Sequence, residues 1–552
     1  MITLISKATL VRFSLALTLS VFGLQAYAAK YLITVKDAKT FQSIEKSAAE
    51  ASQGNGAVNF MSASSKLESS LKHLNMFVVE SDEDITFLQE NPSILAVEKD
   101  VLFPAPQFVS TKSSCDCSSD DSDFDQPWGI DAVGAPSAWS TSTGTDIKVL
   151  VIDSGVDKDH PALEDRLIEG KNFMSRSSGK NVPYEYFDDI GHGTHVAGTV
   201  LGGNTIGVAP DAELYVGRVC GARGCSPTAI ASAVNWGIEN EVDVMNLSLG
   251  GARISASERR AFAKAEEMGI TVVAAAGNSG ADSISFPSKV DTIIAVGALD
   301  ENLDKAEFSQ YGDGLFIMAP GVNVFSAVPL GTGRKAVTKI NLGDGFEEVE
   351  SNSFVGASAL DEAVEKEMVY VGLGKKADYK GVNLAGKIAL IKRGEITFAD
   401  KVKGAIKAGA AAAIIFNNES GLAGGTITED GSEIGIPVVM IEQSLGKNIL
   451  KKINTKTFAP KANVFISKTN YGSQQGTSMA SPHVAGCVAL ILGANPNLSP
   501  KQVRDIIATT ASDMGDIFEN GHGLIDVDAA VTKALTIVGD KVMSSATLAS
   551  VN

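Results

Sequence analysis

The chain has 552 residues, 44% of them hydrophobic, with 47 Lys and Arg against 65 Asp and Glu and a net charge of −18. That length predicts two to four domains at about 150 residues each, and the apolar fraction excludes a chain disordered throughout. The negative balance excludes nucleic acid and anionic membrane as main partners, because both are polyanions.

In chain order, Lys7 and Arg12 precede an apolar run from Phe13 to Leu24, and Ala26-Tyr27-Ala28 follows as a small-x-small sequence. The run is shorter than the ~20 residues of a membrane span. Residues 1–28 read as a cleaved export signal, which implies an extracellular protein. No later stretch has transmembrane length, so no membrane anchor is expected. Residues 29–112 carry a small α+β pattern, with strands at 31–35, 76–79 and 94–98 and a short helix at 84–90. Pro104, Pro106 and the Ser- and Asp-rich run to Asp125 then read as a linker, with 113–127 as the processing region. A separate unit ahead of an exposed acidic linker suggests a removable pro-segment.

From Trp128 to the end the style changes. Ile147 to Ile152 is a near-continuous apolar strand, as a sheet buried on both faces requires. Strands at 213–219, 242–247, 271–275 and 292–296 alternate with helices at 227–239 and 256–268. This predicts an α/β fold with a doubly wound parallel sheet, whose functional residues gather at the carboxyl ends of its strands. From 331 the pattern shifts, with a loop at 331–345, and between 345 and 465 the elements shorten to strands at 387–391, 411–416 and 437–441 and a helix at 398–408. This stretch reads as an inserted, smaller, β-rich α/β domain. At Tyr471 the earlier style resumes, with a long helix from Ser478 to about Leu492.

Export permits disulfides. Cys220 and Cys225 flank the turn Gly221-Ala222-Arg223-Gly224 and form the best pair. Cys115 and Cys117 are too close for an unstrained mutual bridge, and Cys487, in an apolar run, reads as a buried small hydrophobe. No Cys/His cluster has zinc spacing, and the metal content is left open.

Three motifs carry chemistry. Asp153 ends the apolar strand in Val151-Ile152-Asp153-Ser154-Gly155. His192 lies in Gly191-His192-Gly193-Thr194-His195-Val196-Ala197-Gly198, where small residues let a helix start close to another backbone. Ser478 lies in Gly476-Thr477-Ser478-Met479-Ala480-Ser481-Pro482-His483, at a helix start that favours developing negative charge. Pro482 is expected in the first turn, where a missing N–H costs little. Together they supply a carboxylate, a base and a nucleophile in the order Asp, His, Ser.

With these motifs the chain resembles the subtilisin-like serine peptidases (subtilases) over most of residues 126–535 outside the insertion. The resemblance implies a subtilisin-like fold and a secreted serine endopeptidase made as a zymogen. Ser478 would be the nucleophile, His192 the base and Asp153 its orienting partner. Asn278, in Ala275-Ala276-Gly277-Asn278-Ser279-Gly280, matches the oxyanion-hole Asn and would act with the Ser478 N–H. Ser248-Leu249-Gly250 matches the strand that pairs with substrate backbone, which implies broad specificity. Ala275, Ala276 and Gly277 would line an uncharged pocket, with Ser285 where many relatives carry Gly at its floor.

Residues 29–112 resemble an inhibitor-type propeptide, the chain's own intramolecular inhibitor, and 345–465 a protease-associated (PA) domain. The expected partners are protein and peptide substrates, and the expected state is a monomer. The implied chemistry needs no cofactor. A structural calcium stays possible elsewhere, but the loop that usually wraps one is shortened to Gly202–Gly207. A catalytically silent subtilase acting as a binding or adhesion protein is the alternative, and it would be expected to lack one of Asp153, His192, Asn278 or Ser478.

Overall fold

The computed structural model describes residues 28–52, 65–106, 109–110, 126–174, 184–203, 205–422, 424–428, 432–455 and 458–541. The export signal, Cys115, Cys117 and nearly all of 113–127 lie outside the described residues. The chain divides into two compact units, Met1–Asp100 and Val101–Asn552.

The first unit contains β1 (Ala29–Val35), α1 (Ala38–Ser52), β2 (Ser65–Leu71), β3 (Met76–Ser81) and β4 (Ile94–Lys99). The strands form an antiparallel sheet in the order β2-β3-β1-β4. Side chains two apart share a face, so Tyr31, Ile33 and Val35 join Phe77, Val79 and Val97 in one core. Phe41 of α1 stacks on Phe77 at 4.5 Å between ring centroids. The helix expected at 84–90 is a short 3₁₀ segment, Thr86–Glu90. α1 is not among the elements read from the sequence: among its described side chains Phe41 is buried and Ile44 packs partly buried beside it, a short apolar stripe on an otherwise polar segment.

The second unit is built on β5 (Lys148–Asp153), β6 (Leu167–Asn172), α2 (Gly193–Leu201), β7 (Glu213–Arg218), α3 (Pro227–Glu239), β8 (Val244–Leu247), α4 (Ala256–Glu267), β9 (Thr271–Ala275), β10 (Ile294–Leu299) and β11 (Ile317–Pro320). The sheet order is β11-β10-β9-β8-β5-β7-β6, and every pairing is parallel. Val149, Leu150, Val151 and Ile152 are fully buried, each contributing about 1.5–3 kcal/mol through burial. Local signals start the helices. Ser226 caps α3 with Pro227 at its first position, and Ser255 and Glu258 form a capping box for α4.

After the insertion come β12 (Tyr471–Gln475) and α5 (Thr477–Ala494). β12 pairs antiparallel with Val324–Ala327. α5 is buried from Thr477 to Leu492 and packs on α2, β8, β9 and β10, where a helix apolar on every side belongs.

The insertion has its own sheet and core. Strands Val364–Tyr370, Ile388–Lys392, Ala412–Phe416 and Val438–Ile441 run parallel, with helix Phe398–Lys407 between the second and third and helix Gln443–Thr455 after the last. The loop expected at 331–345 is instead the long strand Gly333–Asn341. It pairs residue for residue with Lys461–Thr469, from Gly333 opposite Thr469 to Asn341 opposite Lys461. Only Gly333, Thr338 and Ile340 of that strand are buried, so alternation is weak and the stabilising partner is remote in sequence.

Candidate active site

A parallel sheet brings the carboxyl ends of its strands to one edge, and the predicted residues sit there. Asp153 ends β5, in register with Arg218 at the end of β7. Ser248–Gly250 follow β8, and Ala276–Asn278 follow β9.

His192 immediately precedes α2, with Nδ1 2.8 Å from Asp153 Oδ1, both side chains fully buried. Asp153 Oδ1 also accepts the Ser154 N–H at 2.7 Å. Gly193 is required for this approach: a Cβ there would lie 2.2 Å from the Gly155 carbonyl oxygen and 3.2 Å from Asp153 Cβ. Beneath His192 lies Asp188, fully buried and unread in the sequence. Its carboxylate accepts the Ser154 hydroxyl at 2.8 Å, the Gly191 N–H at 2.8 Å, and the Thr194 N–H and hydroxyl at 2.9 and 2.7 Å. Burial pushes the Asp188 carboxyl up, and the Thr194 donors lead the opposing pull. The network holds the turn that presents His192. Its signal was the acidic pair Asp188-Asp189 just ahead of Gly191-His192. Arg218 reaches Asp189 at 2.9 Å and braces the same turn from β7. His195 points elsewhere, Nε2 lying 2.8 Å from the Val324 carbonyl oxygen, so the two imidazoles do not converge.

Ser478 is the second residue of α5, and its hydroxyl donates to the Ser248 carbonyl at 3.0 Å. Pro482 lies inside the helix, not in its first turn as expected. Lacking an N–H, it leaves the Ser478 carbonyl without its helical donor. The Ser248 hydroxyl replaces that donor at 2.8 Å and also meets Ser481 Oγ at 2.8 Å. The Ser248 side chain therefore braces the helix, while its carbonyl receives the Ser478 hydroxyl. Ahead of His192, the Gln474 amide donates to the Gly191 carbonyl at 3.0 Å, tying the His192 turn to β12 and so to Ser478.

Asn278 Oδ1 accepts both the N–H and the hydroxyl of Thr477 at 2.8 Å. Those bonds fix the amide, leaving Nδ2 on the side of the nucleophile. A Cβ built on Gly476 would be 3.2 Å from Asn278 Nδ2 and 3.6 Å from the Ser478 nitrogen, so both donors flank one spot.

Of the expected pocket residues, Ala276 turns its methyl into the main core. Gly277 donates its N–H to Thr477 Oγ1 at 3.0 Å and accepts from Gln310 N at 3.0 Å. Ser285 donates to Gln310 Oε1 at 3.2 Å, which adds Gln310 to this lining. Leu249 joins Ile230, Phe262 and Phe286, together with the charged Arg253 and Glu258, around a pocket that Phe103 also lines. Cys220 and Cys225 form a disulfide, and Cys487 is free and buried. Two stretches near the start of this unit lie along the site as extended backbone. Phe103 pairs antiparallel with Cys225, and Val109 and Ser110 pair with Gln475 and Gln474 of β12. Among the described residues no group of three or more His, Cys, Asp or Glu is placed to hold a metal.

Residues 144–359 and 443–530 match the subtilase family, and residues 362–449 match the PA domain. An alkaline protease of Alkalihalobacillus alcalophilus is 40% identical over 288 residues, covering 50% of this chain and 69% of that protein. Subtilisin Savinase of Lederbergia lenta is 46% identical over 209 residues, covering 37% of this chain and 74% of that protein. The crystal structure of Apa1, a psychrophilic subtilisin-like protease from Pseudoalteromonas sp. AS-11, aligns with a TM-score of 0.52 at 27% identity, over 74% of this chain and 99% of its own. The chain belongs to the subtilase family of serine endopeptidases and carries a PA domain within its protease domain.

Proposed function

We propose that this endopeptidase is exported as a zymogen and hydrolyses proteins with broad specificity through Asp153, His192 and Ser478. Ser478 Oγ gives its proton to His192 Nε2 and bonds to the scissile carbonyl carbon. Asp153 holds the Nδ1 proton and stabilises the imidazolium. Asn278 Nδ2 and the Ser478 N–H receive the oxyanion. His192 then protonates the leaving amine as the C–N bond breaks, and water releases the acyl group by the reverse route. The buried 2.8 Å contact between Asp153 and His192 carries the reading. Breadth follows from backbone pairing at Ser248–Gly250, which is indifferent to side chains.

The zymogen reading rests on the extended pairing at both sides of the site. Phe103 occupies the upstream edge and Val109–Ser110 the downstream edge, as a peptide awaiting cleavage would. This pairing supports a cut on maturation between Pro106 and Val109, upstream of the 113–127 processing region expected from the sequence. Ser478→Ala should leave the precursor unprocessed, whereas the parent should yield a mature N-terminus at Gln107 to Val109 by Edman sequencing. Normal maturation of the variant in an isolated host would sink the assignment of Ser478.

A further inference from the structure

Resting on the peptidase reading above, we propose that the Cys220–Cys225 disulfide is a positioning element for substrate. It holds the edge strand that pairs with the peptide upstream of the cleaved bond. Preference for a bulky apolar side chain at that place therefore depends on the disulfide being closed.

The strand in question is very short. Cys220–Gly221 and Gly224–Cys225 make a two-stranded ribbon of two residues each, and the disulfide joins its ends. So small a ribbon is marginal on its own backbone bonds. Yet Cys225 exchanges both main-chain hydrogen bonds with Phe103, Phe103 N to Cys225 O at 3.1 Å and Cys225 N to Phe103 O at 2.8 Å. The approach is close enough to demand glycine next door. Gly224 has φ +128°, and a Cβ there would fall 2.3 Å from the Phe103 carbonyl oxygen.

Pairing of this kind reads no side chain; the pocket does. Phe103 lies over Gly251, whose hypothetical Cβ would be 3.7 Å from its ring, and it joins the apolar Ile230, Leu249, Phe262 and Phe286 in a lining whose charged members are Arg253 and Glu258. Leu249 and Gly251 follow β8, and Ile230 and Phe262 sit on α3 and α4, so these walls are held by the fold. The opposite edge, the ribbon, leaves the sheet after Arg218 and returns at the Ser226 cap of α3. The disulfide closes that excursion. Once it opens, the ribbon can splay and the ring loses the backbone that presses it into the pocket. A dithiol would open the bond by delivering two electrons and two protons to the cysteine sulfurs, leaving as its own cyclic disulfide.

The test compares the mature parent with Cys220→Ala on acyl-X-Ala-Ala-Phe anilides, X being Phe or Ala, and on homologues one alanine longer. The parent should favour X = Phe. In the variant that preference in kcat/KM should fall about tenfold, while hydrolysis of the X = Ala peptides shifts by less than roughly twofold. Dithiothreitol on the folded parent should reproduce the loss, and reoxidation with oxidised glutathione should restore it, which covers a variant that folds poorly. An unchanged preference after the bond is opened, or an equal loss on both peptides, would overturn the proposal. A parent inactive on every peptide would instead overturn the peptidase reading beneath it.

Discussion

Asn278 uses the two ends of one amide for different purposes. Its oxygen is spent on the N–H and hydroxyl of Thr477, which leaves its nitrogen on the side of Ser478, where the proposed mechanism needs a donor. In Asn278→Leu, kcat should fall about 100- to 1,000-fold with KM little changed, the magnitude found for this donor in subtilisin. Steady-state kinetics on a peptide anilide decide it; a KM rise at constant kcat would mean that Asn278 only binds substrate. Asp153, His192, Asn278 and Ser478 were legible because each lies in a short motif whose residue types are rarely combined by chance. Asp188 and Gln310 were not, since a carboxylate or an amide in a turn looks like any polar loop residue until burial surrounds it. Burial leaves Asp188 with an up-shifted carboxyl and a ring of donors.

Pro482 and Ser248 show the same dependence at the level of elements. The proline removes one helical hydrogen bond inside α5, and a hydroxyl on the segment after β8 replaces it. Ser248→Ala should cost about 1–3 kcal/mol by leaving the Ser478 carbonyl buried without a donor. In a Pro482→Ala background, which restores the N–H, the same change should cost less. A double-mutant cycle by urea unfolding of the inactive Ser478→Ala chain reads the coupling; additivity within error would refute the exchange of donors. Helix starts were legible wherever a Ser cap and a Pro or Glu stood together, as at α3 and α4. Gly333–Asn341 was not: its polar, weakly alternating sequence becomes a strand through pairing with Lys461–Thr469.

For the whole molecule, the insertion leaves and re-enters through that same pair, Gly333 opposite Thr469, next to the antiparallel pairing of β12 with Val324–Ala327. It is thus continuous with the strand that delivers Ser478. Replacing 334–468 by a short Gly turn should keep hydrolysis of small peptides while changing cleavage of folded proteins. Equal effects on both substrates would count against a role for the insertion in selecting folded proteins. Stability should also depend on pH through two buried imidazoles. Burial pushes His195 down to about 3 and His483 down to about 4. The unfolded chain takes up those protons from about pH 6.5, so the folded state loses stability as pH falls below that value. Each histidine contributes a slope of ~1.4 kcal/mol per pH unit. Urea midpoints of the Ser478→Ala chain between pH 6.5 and 5 measure it, and His483→Gln should halve the slope.

By itself the sequence determined the class of the sheet, the order of the chemical groups along the chain and the presence of an insertion. Continuous apolar strands can only be buried on both faces, and the motif residues fall where such strands end. Tertiary structure alone decided which groups meet. Asp188 became a support for His192, Ser248 a substitute for the Pro482 N–H, and Cys225 an edge for an extended peptide. Each of these depends on contacts between residues remote in sequence, which no local pattern encodes.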